Sequence, residues 1–182
     1  MRLDLIEERL EVPEGVKFQA ANGTITVEGP KGKLTRTMDP KLSIKLEGTT
    51  ATLSVKNASK REKTLIGTFK AHFANMLNGA KEGFTYRMKV CSGHFPMTVV
   101  VKGDELIIKN YLGEKVPRTI RFKPGVEVKV EGDIVVITSP NRELAGQTAA
   151  SIEKLARRAD YDKRIFQDGI YITEKAGKEI KG

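Results

Sequence analysis

The chain repeats itself, and this repeat restricts its possible folds more than any other feature. SIKLEGTTATLSV (43–55) is similar to EVKVEGDIVVITS (127–139), and TITVEGPKGKLTRT (24–37) to LIIKNYLGEKVPRT (106–119). REKTLIGTFKAHFANML (61–77) is similar to NRELAGQTAASIEKLAR (141–157), so three landmarks recur in the same order. Gly32 and Gly113 are 81 residues apart, Gly48 and Gly132 are 84 apart, and Gly67 and Gly146 are 79 apart. A period of roughly 80 residues is too long for a solenoid unit and suits two copies of one small domain. Asn and Gly interrupt the apolar pattern in NGAKEGF, around Lys81–Gly83, so we expect domains at residues 1–82 and 83–182.

Each copy reads as strands followed by a helix. VKFQAANGTITVEG alternates across a hairpin with Asn22-Gly23 as its two-residue turn. KLTRTM and SIKLEG follow, and Gly48-Thr49 turns the chain into TATLSV. Ser59, with Glu62 three residues on, has the spacing of a capping box. Leu65, Ile66, Phe69, Phe73, Met76 and Leu77 then recur at helical spacing, and Asn78-Gly79 reads as the end of the helix. In the second copy Ser139 is the expected cap and Pro140 the first helical residue. Its buried stripe should be Leu144, Ala145, Thr148, Ile152, Leu155, Ala156 and Ala159. Strands before a helix, twice over, predict an α+β fold: two tandem duplicated domains, each a small, mainly antiparallel sheet with a helix packed on one face. The tail RRADYDKRIFQDGIYITEKAGKEIKG has no counterpart after the first helix. It either carries a function of its own or covers a sheet edge.

Charge points to the partner. The 32 Lys and Arg residues outnumber the 23 Asp and Glu, for a net charge of +9, which favours a polyanion such as nucleic acid. The N-terminal MRLDLIEERLEV resembles neither a signal peptide nor a presequence, and no apolar run approaches the roughly 20 residues that span a bilayer. Cys91 is the single cysteine, so no intrachain disulfide and no cysteine zinc site is expected, and the chain reads as cytosolic. GPKGK lacks the spacing of a phosphate-binding loop and reads as a hairpin turn. His72 reads as a helix residue. Cys91 and His94 form the one conceivable nucleophile–base pair, the basis of an alternative reading as a hydrolase acting on nucleic acid. We expect no enzyme activity, no cofactor, no metal and no small-molecule substrate.

What remains is basic and surface-like. Lys154, Arg157, Arg158, Lys163 and Arg164 fall within eleven residues, with Tyr161 and Phe166 interleaved. Such a mixture suits stacking and phosphate contact on folded RNA, although cations at a helix C-terminus also complement its dipole, and Phe166 could equally anchor the tail. The loop Ser92-Gly93-His94-Phe95-Pro96 is a second candidate, because glycine permits close backbone approach and Ser92 and His94 supply donors. Its alternative is a tight turn with Phe95 packed inward. The tips Pro30–Lys33 and Asn110–Lys115, with Gly32 and Gly113 as turn formers, are a third.

These residues resemble a known family. VPEGVKFQAANGTITVEGPKGKL is similar to the opening hairpin of the universal large-subunit ribosomal protein called L-six in bacteria and L-nine in eukaryotes. Arg164-Ile165-Phe166-Gln167-Asp168-Gly169-Ile170-Tyr171-Ile172, followed by Lys175, resembles the R-x-F-x-D-G-x-Y tail of its archaeal and eukaryotic branch, as do Gln147, HFP (94–96) and NYLGEK (110–115). The resemblance spans nearly the whole chain and looks archaeal. It implies a non-enzymatic protein whose second domain binds large-subunit ribosomal RNA near the sarcin–ricin loop and elongation-factor site, beside neighbouring ribosomal proteins. Carried onto this sequence, it favours the loop of Ser92, Gly93, His94 and Phe95 and the tail from Arg164 to Lys175 as RNA contacts, to which our reading of the basic cluster adds Lys154, Arg157, Arg158, Tyr161 and Lys163. Asp168 and Gly169 would shape a turn. A free RNA chaperone using the same surface is the alternative.

Overall fold

A computed structural model describes residues 3–21, 23–47, 49–162 and 164–180. The expected turn residues Asn22 and Gly48, and Lys163, lie outside these. The chain divides into two compact units, residues 1–83 and 84–182.

In the first unit, strands β1 (Leu3–Glu11), β6 (Thr50–Ala58) and β5 (Ser43–Glu47) form one antiparallel sheet in the order β1-β6-β5. Strands β2 (Lys17–Ala21), β3 (Thr24–Gly29) and β4 (Gly32–Thr37) form a second, a meander in sequence order. Alternation places Ala51, Leu53 and Val55 of β6 and Ile25 and Val27 of β3 inward. Helix α1 (Lys60–Lys81) covers both sheets with Ile66, Phe69, Phe73, Met76 and Leu77. Phe73 meets Phe18 edge-on, ring centroids 5.3 Å apart.

The capping box is present. The Ser59 hydroxyl accepts from the Arg61 N–H (3.2 Å), and the Glu62 carboxylate accepts from the Ser59 N–H (3.1 Å). Glu62 also accepts from the Ser59 hydroxyl and from Lys41 Nζ (2.8 Å). The Lys41 contact, then the Ser59 bonds, hold its carboxyl down at about 2. The far end departs from expectation, because Asn78-Gly79 does not stop the helix. It runs to Lys81 with Glu82 as its cap, and Gly83 takes the positive φ (+78°). Gly79 and Ala80 are buried, so the last turn stays packed. The β3–β4 turn docks there: the Lys31 N–H donates to the Ala80 carbonyl (3.0 Å), and a Cβ at Gly29 would lie 2.5 Å from that oxygen.

The second unit repeats the plan. Strands β7 (Phe84–Cys91), β12 (Ile134–Ser139) and β11 (Glu127–Glu131) correspond to β1, β6 and β5. Strands β8 (Thr98–Lys102), β9 (Glu105–Lys109) and β10 (Arg118–Arg121) form the matching meander. The α+β class and the duplication follow the sequence pattern; in each unit the strands are shared between two sheets. The tail supplies what the first unit lacks. Strand β13 (Gly169–Lys175) pairs antiparallel with the free edge of β7, and β14 (Lys178–Glu179) pairs with β13. It covers the edge of β7 whose counterpart on β1 pairs with no further strand among the described residues.

Helix α2 (Arg142–Leu155) is capped by Asn141, not Ser139, and Pro140 precedes it. Asn141 Oδ1 accepts from the Glu143 (2.9 Å) and Leu144 (3.3 Å) N–H groups. The Ser139 hydroxyl is engaged elsewhere, donating to the Gly125 carbonyl (2.7 Å) and accepting from the Asn141 N–H (3.1 Å). Ala145, Thr148, Ala149 and Ile152 are the buried stripe; Ala159 lies beyond the helix and is exposed. Measured from the caps the helices are offset by 82 residues, but the buried residues Ile66, Phe69, Phe73 and Leu77 match Ala145, Thr148, Ile152 and Ala156 at an offset of 79, so Gly146 does occupy the place of Gly67 and α1 begins about one turn earlier. The two glycines nonetheless differ in setting. A Cβ at Gly146 would sit 3.2 Å from the Tyr86 hydroxyl, whereas one at Gly67 would meet nothing within 4 Å.

Candidate nucleic-acid interface

One end of the second unit gathers most of the residues singled out above. Its anchor is Asp168, 7% exposed, just before β13. Its Oδ1 accepts from the backbone N–H groups of Gly93 (2.7 Å) and His94 (3.1 Å), and its Oδ2 accepts from His94 Nδ1 (2.7 Å). Burial pushes this carboxyl up, but the three bonds from His94 and Gly93 prevail and hold it below its ordinary value. The turn that Asp168 shapes is therefore not its own but the β7–β8 loop, 74 and 75 residues earlier in the chain. Gly169 likewise forms no turn: it begins β13, where the Tyr171 ring packs 3.1 Å from the position a Cβ would take.

The loop so held presents a run of rings. His94 lies 4.6 Å from Phe166 at a 30° tilt, and Phe166 meets Tyr161 edge-on at 4.8 Å. The Arg158 guanidinium sits over Tyr161, 4.6 Å from the ring centroid, and 3.5 Å from Glu114. Phe166 is thus both anchor and middle member of the stack, while Tyr161 is on the surface. Phe95 is neither fully inward nor free: it is 45% exposed and rests against Gly113. Ser92 and Gly93 are exposed.

The C-terminal end of α2 is pinned beneath this stack. Arg118 Nη1 donates to the carbonyls of Leu155 (2.6 Å) and Arg157 (3.1 Å), satisfying acceptors that a helix end leaves open. Its Nε and Nη2 grip Glu114 at 2.8 and 2.6 Å, and its guanidinium lies 4.3 Å from the Tyr111 ring centroid. That grip holds the Glu114 carboxyl below its usual range against partial burial. The buried Tyr111 hydroxyl donates to the Ala156 carbonyl (2.8 Å), and burial raises its pKa. Asn110 (φ +57°), Leu112 (φ +46°) and Gly113 (φ +78°) bend the 110–115 segment tightly enough to bring Tyr111 inside. This segment is a packed strut; like the β3–β4 turn at its equivalent place, which docks on Ala80, it meets the end of its own unit's helix.

A cavity of about 340 Å³ opens between these parts, lined by Lys154, Arg157, Arg158, Tyr161, Phe166 and Tyr171 among others. Lys154 and Arg157 are exposed and make no ion pair among the described residues. Arg164 is exposed as well, but its Nη2 and Nε are engaged by Asp162 at 2.8 to 3.2 Å. Lys175 stands apart. It ends the strand that Gly169 begins, six residues on, which is about 20 Å along β13. The sequence offered Tyr111 and Glu114 only as part of an exposed tip and gave no sign of Arg118. Their roles need the fold, because β10 must lie against α2 before an arginine in PRT reads as a helix cap.

The arrangement offers cations, ring faces and a rigid floor. Among the described residues no group of three His, Cys, Asp or Glu side chains is placed to hold a metal, and no helix is long and apolar enough to cross a membrane. Comparison with known proteins gives a consistent answer. The model of a family described as ribosomal protein L6 matches residues 12–83 and 95–169. The large ribosomal subunit protein uL6 of Methanococcus vannielii is 41% identical over 177 residues, 97% of each chain. That of Haloquadratum walsbyi is 41% identical over 171 residues, covering 91% of this chain and 94% of its own. That of Methanobrevibacter smithii is 42% identical over 171 residues, covering 93% and 96%.

Proposed function

The chain belongs to the ribosomal protein L6 family, and from that premise we propose that it is a structural constituent of the large ribosomal subunit, in the cytoplasm, whose second unit clamps folded ribosomal RNA. The observation that carries the reading is the surface around the α2 terminus. There Lys154, Arg157 and Arg158 stand beside the Tyr161–Phe166–His94 stack on a base locked by Asp168 and Arg118. Cations neutralise phosphates, and exposed ring faces accept unstacked bases or riboses. Contacts of this kind recognise RNA shape more than sequence. Arg164 would have to exchange Asp162 for a phosphate. Lys175 would reach a separate part of the RNA.

The role is architectural rather than catalytic. His94 is occupied in holding its own loop to Asp168 and in packing on Phe166. We place the RNA contact near the sarcin–ricin loop, close to where elongation factors act and beside other ribosomal proteins. Hydroxyl-radical probing of large-subunit RNA with the full-length protein tests this. Wild type should protect the sarcin–ricin region, and an Arg157→Gln/Arg158→Gln variant should lose that protection. Protection elsewhere, or protection that survives the double substitution, would contradict the assignment.

A further inference from the structure

We propose that the first unit carries a second, independent RNA-backbone surface: the cations Lys56, Lys60, Arg61 and Lys63 at the start of α1. The four lie within eight residues, at the end of β6 and in the first turn of α1, with Asn57 at φ +52° turning the chain between them. All four side chains are exposed, and none makes an ion pair among the described residues. The one acid in the stretch, Glu62, is 9% exposed and already committed to Lys41 and the Ser59 cap.

The placement runs against helix stability. The N-terminal end of a helix carries partial positive charge, so cations there are unfavourable and acids are favoured. The second unit serves as an internal control. The first turn of α2 balances Arg142 with Glu143, and its cations gather at the opposite end, where the dipole favours them. The same fold has therefore been built with the cations at either helix end, and only in the first unit does local energetics oppose their position. An external anion accounts for that.

The surroundings favour a phosphodiester backbone over an acidic protein. Lys60 and Lys63 share one helix face, spaced as i and i+3 neighbours. That face continues through Thr64, Gly67 and Ala71, all exposed and all short. No aromatic or large aliphatic side chain on it supplies the apolar centre that protein partners use. A polyanion needs charge and close approach, and this face offers both.

The test uses full-length protein and protein-free large-subunit ribosomal RNA, with binding followed by filter retention over a range of KCl concentrations. Each engaged phosphate contributes roughly 0.7–0.9 to the salt slope. A combined Lys56→Gln, Lys60→Gln, Arg61→Gln, Lys63→Gln variant should lower the slope by about two or more, and a charge-conserving exchange of Lys and Arg at the four sites should restore it. The melting temperature of the glutamine variant should hold or rise, since it relieves the helix dipole. An unchanged slope overturns the proposal, also if the variant instead fails to retain a neighbouring ribosomal protein. The Arg157→Gln/Arg158→Gln variant, measured in parallel, keeps the two surfaces separate. A slope lowered there alone counts against this inference only; a slope lowered in the α1 variant alone leaves it standing and counts against the interface of the second unit.

Discussion

Three glycines show how differently one residue type is used here. Gly29 is needed for space: a Cβ would lie 2.5 Å from the backbone oxygen of Ala80, so Gly29→Ala must force the β3–β4 turn off α1. We expect it to destabilise the protein by about 1–3 kcal/mol in denaturant unfolding. Gly67 has open space around it and sits inside a helix, so Gly67→Ala should stabilise the isolated protein by about 1 kcal/mol. Gly146 lies between these cases, held by the Tyr86 hydroxyl. Sequence comparison aligned Gly67 with Gly146, and the buried faces of the two helices keep that offset of 79, so one helix position is open in the first unit and packed in the second. Glu62 gives a prediction in pH. Its carboxyl falls from 4.5 to about 2 on folding, so the stability it contributes is complete above about pH 4.5 and is lost as pH falls toward 2. Thermal melts followed by circular dichroism should show that loss in wild type, and Glu62→Gln should lack this component. Equal pH dependence in both would contradict the capping role.

At the scale of elements, the tail and the β7–β8 loop form a single device. Strand β13 completes the sheet beside β7, and Asp168 at its start ties down the loop that leaves the same end of the strand pair, where Gly169 pairs with Cys91. Asp168→Ala would leave two N–H groups and the His94 ring without their acceptor, at a cost of about 1–3 kcal/mol. Amide hydrogen exchange at Gly93 and His94 should accelerate, while β8–β10 keep their protection; unchanged exchange at the loop would refute the tie. Asp168 also sits below its ordinary carboxyl value, so this tie is complete above that value and weakens on acidification. Much of the element order was legible in sequence. The capping box at Ser59, the apolar spacing of α1 and the paired hairpins all rest on local chemistry, which a single sequence displays. The boundaries that differed were set by distant partners. Ser139 gave up the cap because its hydroxyl reaches Gly125, and Gly79 did not end α1 because its last turn is packed. The site was legible as a set of cations and rings, but the Asp168 clasp and the Arg118 cap join residues about 40 to 75 positions apart, beyond the reach of pattern reading.

For the whole molecule, duplication supplied two copies of one fold, and charge and the tail then made them different. The second unit gained β13, the aromatic stack and cations at the helix C-terminus; in the first, β1 ends its sheet among the described residues and the cations stand at the helix start. A net charge of +9 distributed over such surfaces is that of a protein stabilised in place by RNA, where binding adds to the folding free energy. The central claim is membership of the large subunit, and sedimentation tests it most directly. A tagged copy should be followed through sucrose gradients of cell lysate, before and after a high-salt wash. The account predicts stoichiometric co-migration with the large subunit that survives the wash. Protein left at the top of the gradient, or stripped by modest salt, would contradict it and favour a free RNA-binding chaperone.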